Sequence, residues 1–301
     1  MHRTGMTRME NTKELLEKMG AIAKSALGSA AIRAQESRRE DRLFEDSLAQ
    51  AFVEESGVDP LTRTAVPEST GLGLHQLVGE FMILRTRFHD DQLLAAARGG
   101  RTQVVLLGCG LDSRAFRLDW PGGTRVFEND LAEVLEFKDA ALAARGAKPA
   151  CERVVCAMDL RNDWLAALRD SGFDPERPTV WLAEGILHIL PPAAADLLLD
   201  RVTSVSAAGS VMSVDRIEDS GLLRTARMAH LDASSPGSDD PWGGGPGAGL
   251  EEWFRGRGWD PSVRHVNAVA EEFGRPGPVA FDPSTEGAGD CWLATATLGG
   301  A

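Results

Sequence analysis

Apolar residues recur at helical spacing through the first third of the chain: Leu15, Leu16, Met19, Ile22 and Ala23 fall on one stripe, and no two-residue alternation interrupts residues 10–98. The pattern predicts a helical preface. Asp59-Pro60 and Val66-Pro67 break it, since proline lacks an amide donor and restricts the residue before it, so the preface reads as several helices. At residue 103 the pattern changes. QVVLLGCG (103–110) is a short continuous apolar run ending in glycines, the form of a parallel strand buried on both faces. Further runs follow at TRVFEND (124–130), RVVCAMDL (153–160), TVWLAEG (179–185) and SVMSVD (210–215), separated by helix-like segments at 130–145, 161–172 and 191–204. This alternation predicts βαβ units and a parallel sheet.

Toward the end, residues 232–249 (DASSPGSDDPWGGGPGAG) carry too much Gly, Pro, Ser and Asp to pack a core. They read as a flexible loop with one large residue, Trp242. LEEWFRGRGW (250–259) then resembles a short helix ending near Gly256 or Gly258, and CWLATATL (291–298) a last strand. Two closing strands complete a Rossmann-like α/β sheet of seven. The expected organisation is a helical N-terminal cap over 1–98 and a sheet domain over 99–301, with a loop or lid at about 232–248.

Composition narrows the class of function. Against 45 Asp+Glu stand 32 Lys+Arg, a formal charge of −13 that repels phosphate backbones and anionic membrane surfaces, so no nucleic acid or membrane partner is expected. Arg33, Arg38, Arg39 and Arg42 crowd one stretch, which reads as a solvated helix face. Four cysteines form no CxxC pair and no zinc-like Cys/His spacing, so free thiols and no metal are expected. No run approaches the roughly 18 apolar residues of a membrane span, and the charged start lacks a signal-peptide core, so the expected location is cytoplasmic. The complete absence of tyrosine leaves His, Asp and Glu as proton acceptors.

Four features carry candidate chemistry. Gly108 and Gly110 directly follow the first strand, where glycine lets the backbone turn sharply against a ligand. Glu128 or Asp130 ends the next strand about 20 residues on, where a carboxylate can accept hydrogen bonds from both ribose hydroxyls. Together they specify a nucleoside. Ser113 stands where a dinucleotide fingerprint has its third glycine, which disfavours a nicotinamide-dependent oxidoreductase. Asp159-Leu160 after the third strand suits an adenine amino group and ring, a helix N-cap being the plainer alternative. Glu184 after the fourth strand lies at the sheet edge where α/β proteins bind ligands, unless it is only a salt-bridged surface residue.

RTRFHDD (85–91), the block VVLLGCGLDSRAFRLDWPGGTRVFENDLAEVLEFK (104–138), AMDL (157–160) and WLAEGILHILPP (181–192) resemble the leucine carboxyl methyltransferase family, over roughly residues 25–215. Its bacterial branch includes S-adenosylmethionine-dependent methyltransferases and polyketide O-methyltransferases of the tetracenomycin type. The resemblance implies a class I methyltransferase sheet and an O-methyltransferase acting on a small-molecule carboxylic acid in secondary metabolism, with a polyketide phenol or enol as alternative acceptor. It implies that Arg87 binds the methionine carboxylate, Gly108 and Gly110 line the cofactor turn, and Asp130 holds the ribose. Asp159 and Leu160 then bracket adenine, and Glu184 sits near the sulfonium and amino group. Arg33 falls near a basic residue that contacts cofactor or substrate. Relatives carry a small apolar residue at Asn129 and an aromatic, often Tyr, at His188. The second change bears on the acceptor pocket.

Methyl transfer from a sulfonium is an in-line displacement that depends on holding the acceptor oxygen against the methyl carbon. A carboxylate is already ionised and needs no base, whereas a phenol benefits from one, and His188 is the candidate base; a packed core-edge histidine is the plainer reading. The preface and the loop carrying Trp242 are expected to cover the acceptor site and exclude water. A non-catalytic nucleoside-binding protein on the same fold is the non-enzymatic alternative. Nothing in the pattern fixes oligomeric state.

Overall fold

The computed structural model describes Leu15 and residues 21–58, 66–69, 71–234, 240 and 242–300. Most of the helical stripe over residues 10–20, the Asp59-Pro60 break and residues 235–239 of the glycine-rich loop lie outside the described residues. Three helices precede the sheet: α1 (Ala21–Glu36), α2 (Ala49–Ser56) and the long α3 (Leu74–Arg98). The remainder alternates as β1 (Gln103–Leu107), α4 (Arg114–Arg117), β2 (Arg125–Asp130), α5 (Ala132–Ala144), β3 (Glu152–Ala157), α6 (Trp164–Asp170) and β4 (Thr179–Ala183). A 3-10 turn (Leu187–Ile189), α7 (Pro192–Ser204), β5 (Val211–Ile217), α8 (Gly221–Ser234), α9 (Leu250–Arg255), β6 (Trp259–His265), α10 (Val266–Glu272) and β7 (Cys291–Leu298) complete it.

The seven strands run in the order β3-β2-β1-β4-β5-β7-β6, parallel except for β7, which is antiparallel to both neighbours. Every residue of β1 and β4 is buried, as their unbroken apolar runs require for strands covered on both faces. Alternation divides β1 between two cores. Val105 and Leu107 pack with Trp164 and Leu168 of α6, Leu198 and Leu199 of α7, and Trp253 and Phe254 of α9. Val104 and Leu106 face the other way, onto Leu93, Ala96 and Ala97 of α3. Farther along the same face, Leu77, Phe81, Leu84 and Phe88 of α3 meet Leu223 of α8, Val266 of α10 and Leu293 of β7.

That packing bears on the domain organisation. The expected boundary near residue 100 falls in the link between α3 and β1, yet α3 shares two cores with the sheet and forms one of its covering layers. It is α1 and α2 that stand off the sheet, sharing a core with α5 through Leu27, Ala30, Phe52, Phe137 and Ala141. Among the described residues no helix is long and apolar enough to cross a membrane, and all four cysteines are free thiols.

In a parallel sheet the carboxyl ends of β1 to β4 lie along one edge. Strand order reverses between β1 and β4, so the connections leaving them diverge and open a crevice. Gly108, Asp159 and Glu184 follow strand ends on that edge, and Asp130 closes β2 there.

Candidate functional site

Backbone conformation explains the glycines. Gly108 and Gly110 hold φ of 59° and 48°, the left-handed region that side chains disfavour. A Cβ on Gly108 would stand 3.1 Å from Ile186 Cγ2 and 3.9 Å from Leu160 Cδ1, and one on Gly110 3.2 Å from Ala26 Cβ. The bend is thus a cradle that side chains would fill. At the end of β2 the Asp130 carboxylate accepts the Gly110 N–H at 2.6 Å and the Leu131 N–H at 2.8 Å. Burial pushes its carboxyl above the usual range, against the pull of those two donors. Glu128, the other acidic candidate, is fully buried and held by Lys138 and Arg153, each at 2.8 Å. Its charge is spent inside the fold.

Leu160 reaches the Gly108 turn from β3's side, its Cδ1 lying beside the space a Gly108 side chain would take. Asp159 accepts the Arg161 N–H at 2.9 Å and pairs with the Arg161 guanidinium at 2.6 Å. It does not cap a helix, because α6 begins at Trp164 with Asp163 before it.

Glu184 is salt-bridged and largely buried, with 16% of its side chain exposed. It takes hydrogen bonds from Arg85 Nε at 2.9 Å and Arg114 Nη1 at 2.5 Å. Burial opposes its ionisation, yet Arg114 and Arg85 hold its carboxyl well below the ordinary range. Arg114 also bonds Asp90 Oδ1 at 2.6 Å and pairs with Asp112. Arg117 joins Asp90 at 2.6 Å, and Arg85 Nη1 lies 3.6 Å from Asp215 Oδ2. Sequence patterning did not disclose this network.

Arg87, the expected ligand of a methionine carboxylate, is placed elsewhere. It pairs with Asp91 at 2.8 Å, donates to the Leu43 carbonyl at 2.7 Å and lies over the Phe273 ring, with 40% of its side chain exposed. Arg85, two residues earlier, is the arginine that faces Glu184. Successive helical residues turn by about 100°, so Arg85 and Arg87 lie on different faces of α3.

On the other flank, His188 sits in the 3-10 turn after β4. Burial pushes its imidazole down to about 4, with Asp215 pulling the other way. Its Nδ1 is buried and has no hydrogen-bond partner among the described residues. The Trp242 ring stands 4.7 Å from the His188 ring, and the Arg227 guanidinium lies 4.0 Å from the Trp242 centroid. Arg227 is clamped by Asp219 and Asp240 at 2.9 and 2.7 Å. Gly243 N and Gly244 N donate to the His188 carbonyl, and Gly245 N to that of Leu190. A Cβ on Gly243 would come within 2.5 Å of the Leu190 carbonyl carbon, so this docking requires glycine. The described tip of the glycine-rich loop is therefore fastened to the turn. Trp242, expected to touch acceptor, contacts Arg227 and His188. Arg33 is engaged with Asp46 at 2.8 Å and with the Leu111 carbonyl at 2.7 Å, bracing the residue that follows the glycine bend. Among the described residues, no group of three or more His, Cys, Asp or Glu could hold a metal ion.

Similarity to known proteins follows the same outline. The sequence model of the leucine carboxyl methyltransferase family matches residues 26–203. A "putative S-adenosyl-L-methionine-dependent methyltransferase" of Streptomyces avermitilis is 41% identical over 274 residues, covering 89% of this chain and 93% of its own. One of the same name from Mycobacterium avium is 38% identical over 293 residues, covering 89% and 92%. Among solved structures, a DUF574 family protein from Streptomyces avermitilis aligns with TM-score 0.55 at 16% identity, over 90% of this chain and 97% of its own. A Thermobifida fusca protein solved as a "putative methyltransferase" aligns with TM-score 0.53 at 18% identity, over 90% and 94%. These two speak for the fold.

Proposed function

Because the chain belongs to the leucine carboxyl methyltransferase family, we propose that this S-adenosylmethionine-dependent methyltransferase acts on the carboxylate oxygen of a small-molecule acid of secondary metabolism, polyketide-derived by its resemblance to the tetracenomycin type. The residues of the crevice suit the donor. The glycine cradle would admit the nucleoside, Asp130 would accept the ribose hydroxyls, and Asp159 with Leu160 would take the adenine. Arg85 would hold the amino-acid carboxylate and Glu184 the ammonium. S-adenosylmethionine, when bound, supplies an electrophilic methyl group on sulfur, open to in-line attack by the acceptor oxygen. The protein's own part is placement and exclusion of water. The Gly108 bend and the rigid Glu184 network fix one side, and α1 with the docked 242–245 segment would cover the other.

The observation that carries the carboxylate reading is the burial of the His188 ring, whose Nδ1 has no hydrogen-bond partner among the described residues, so that burial depresses its basicity. With its imidazole at about 4, drawing the proton from a phenol near 10 would be uphill by about six in pKa, roughly 8 kcal/mol. A carboxylate acceptor arrives ionised and asks for no base. His188, neutral at pH 7, then offers a ring N–H to orient it. kcat/KM for a carboxylic acceptor is expected to stay level between about pH 6 and 9, since neither acceptor nor His188 changes charge there. Incubating enzyme, isotopically labelled donor and cell extract, then following product by mass spectrometry, supplies the acceptor for that profile. A rate climbing tenfold per pH unit toward 10 would point to a phenol and defeat the proposal.

Asp130 gives a second test. Its folded-state carboxyl lies above the unfolded value because burial disfavours the charge, so the free protein gains stability as pH falls through the folded value and loses it as pH rises. Asp130→Asn removes the charge and keeps one oxygen for the Gly110 N–H, while its NH2 replaces the oxygen that accepts the Leu131 N–H. Relief of the buried charge and loss of the Leu131 hydrogen bond oppose each other, so the free protein is expected to melt within a few degrees of wild type, while donor affinity drops by about tenfold. Calorimetric titration with donor and a thermal melt read the two effects. Unchanged affinity would remove Asp130 from the donor site.

A further inference from the structure

Asp215, a carboxylate of the network beneath this edge, has no part in the donor contacts proposed above. It lies within β5 and has no exposed side-chain surface. Oδ1 accepts the N–H of Gly185, the residue after Glu184, at 2.7 Å. Oδ2 accepts no hydrogen bond from the described residues and stands 3.6 Å from Arg85 Nη1. His89, also fully buried, points Nε2 at Oδ1 from 3.7 Å and shares a hydrogen bond with Ser213 through Nδ1. Asp215 thus holds the backbone beyond Glu184 and the guanidinium beside it.

Its charge belongs to a continuous series of ion pairs. Arg33 meets Asp46, Asp46 meets Arg117, Arg117 meets Asp90, Asp90 meets Arg114, Arg114 meets Asp112 and Glu184, Glu184 meets Arg85, and Arg85 meets Asp215. Four guanidiniums face five carboxylates in that series. Over these ion pairs the carboxylates exceed the guanidiniums by one, and the excess lies inside the protein, where water screens it least. The carboxylate at the open end of the series, without a hydrogen-bonded cation, is Asp215.

S-adenosylmethionine carries an ammonium, a carboxylate and a sulfonium, net +1. After methyl transfer the sulfur is a neutral thioether, and the product carries no net charge. We infer that Asp215 makes the site favour the cationic donor over its neutral demethylated product, acting as a positioning residue through Arg85 and the Gly185 backbone and as the uncompensated charge beneath the crevice. The inference rests on the donor site proposed above. Loss of the sulfonium charge then weakens the hold on the product at the moment the reaction ends, which favours exchange for fresh donor.

The test is calorimetric titration of S-adenosylmethionine and S-adenosylhomocysteine into the full-length protein and into Asp215→Asn, which retains an acceptor for the Gly185 N–H. Asn is expected to weaken the donor by about tenfold or more and the product by less than about threefold, because only the donor loses a charge–charge attraction. Asp215→Glu, which keeps the charge, is expected to restore most of the difference. If Asn does not accumulate as folded protein, Asp215→Ser, smaller and also neutral, carries the comparison. A purely structural role moves both ligands together, and equal loss for both, or no loss for either, overturns the inference. Wild-type protein that binds neither ligand defeats the donor site itself, a result distinguishable from wild-type binding with an unaltered ratio in the variant.

Discussion

Arg114→Ala is expected to destabilise the protein by about 3–5 kcal/mol, the range found when one partner of a buried ion pair is removed and its counter-charges remain. Three carboxylates depend on this side chain. Asp90 and Glu184 accept its N–H groups, and Asp112 pairs with it, all in surroundings where Arg114 is 2% exposed. Against a total stability of roughly 5–15 kcal/mol, such a loss is a large share of the whole. The unfolding midpoint should fall by on the order of 10 °C. Arg114→Lys should recover only part, because a single ammonium cannot reproduce the guanidinium fork that spans three acceptors. Circular dichroism melts of the three proteins supply the measurement, and a midpoint within about 2 °C of wild type for the alanine variant would show that the carboxylates find other compensation.

The same cluster shows where the sequence is transparent and where it is opaque. The central strands β1 and β4 were legible as continuous apolar runs, because a strand covered on both faces must be apolar throughout. The glycine bend was legible because β1 ends in it. The choice between Glu128 and Asp130 was not, since both lie on β2, and only folding brings Lys138 and Arg153 onto Glu128. Asp90, Arg114, Glu184 and Asp215 are scattered over four segments, and nothing in a one-dimensional pattern records that their side chains meet. Trp242 marks an intermediate case. Its loop reads as flexible from composition, yet glycines at 243 to 245 let the backbone lie against the 3-10 turn closely enough for hydrogen bonds. The glycines that suggest disorder are the residues that permit docking.

Arg85 and Arg87 provide the sharpest separation between family resemblance and structure. Arg85→Gln is expected to weaken donor binding by about 100-fold, whereas Arg87→Ala should change it by no more than about threefold. The reason is visible in helical phase. Arg85 follows Phe81 and precedes His89 by one turn, within the stripe that α3 buries, while Arg87 precedes Asp91 by four residues and forms the exposed i,i+4 pair such spacing favours. A buried guanidinium already fixed by Glu184 has no orientation left to lose when it donates to a ligand carboxylate, whereas Arg87 would have to break its pair with Asp91 and leave the Leu43 carbonyl. Titrating both variants with donor, and checking by thermal melt that Arg85→Gln remains folded, compares them under one set of conditions. Strong loss in the Arg87 variant with little in the Arg85 variant would mean that α3 presents its other face to the donor, and the crevice would have to be redrawn around that face.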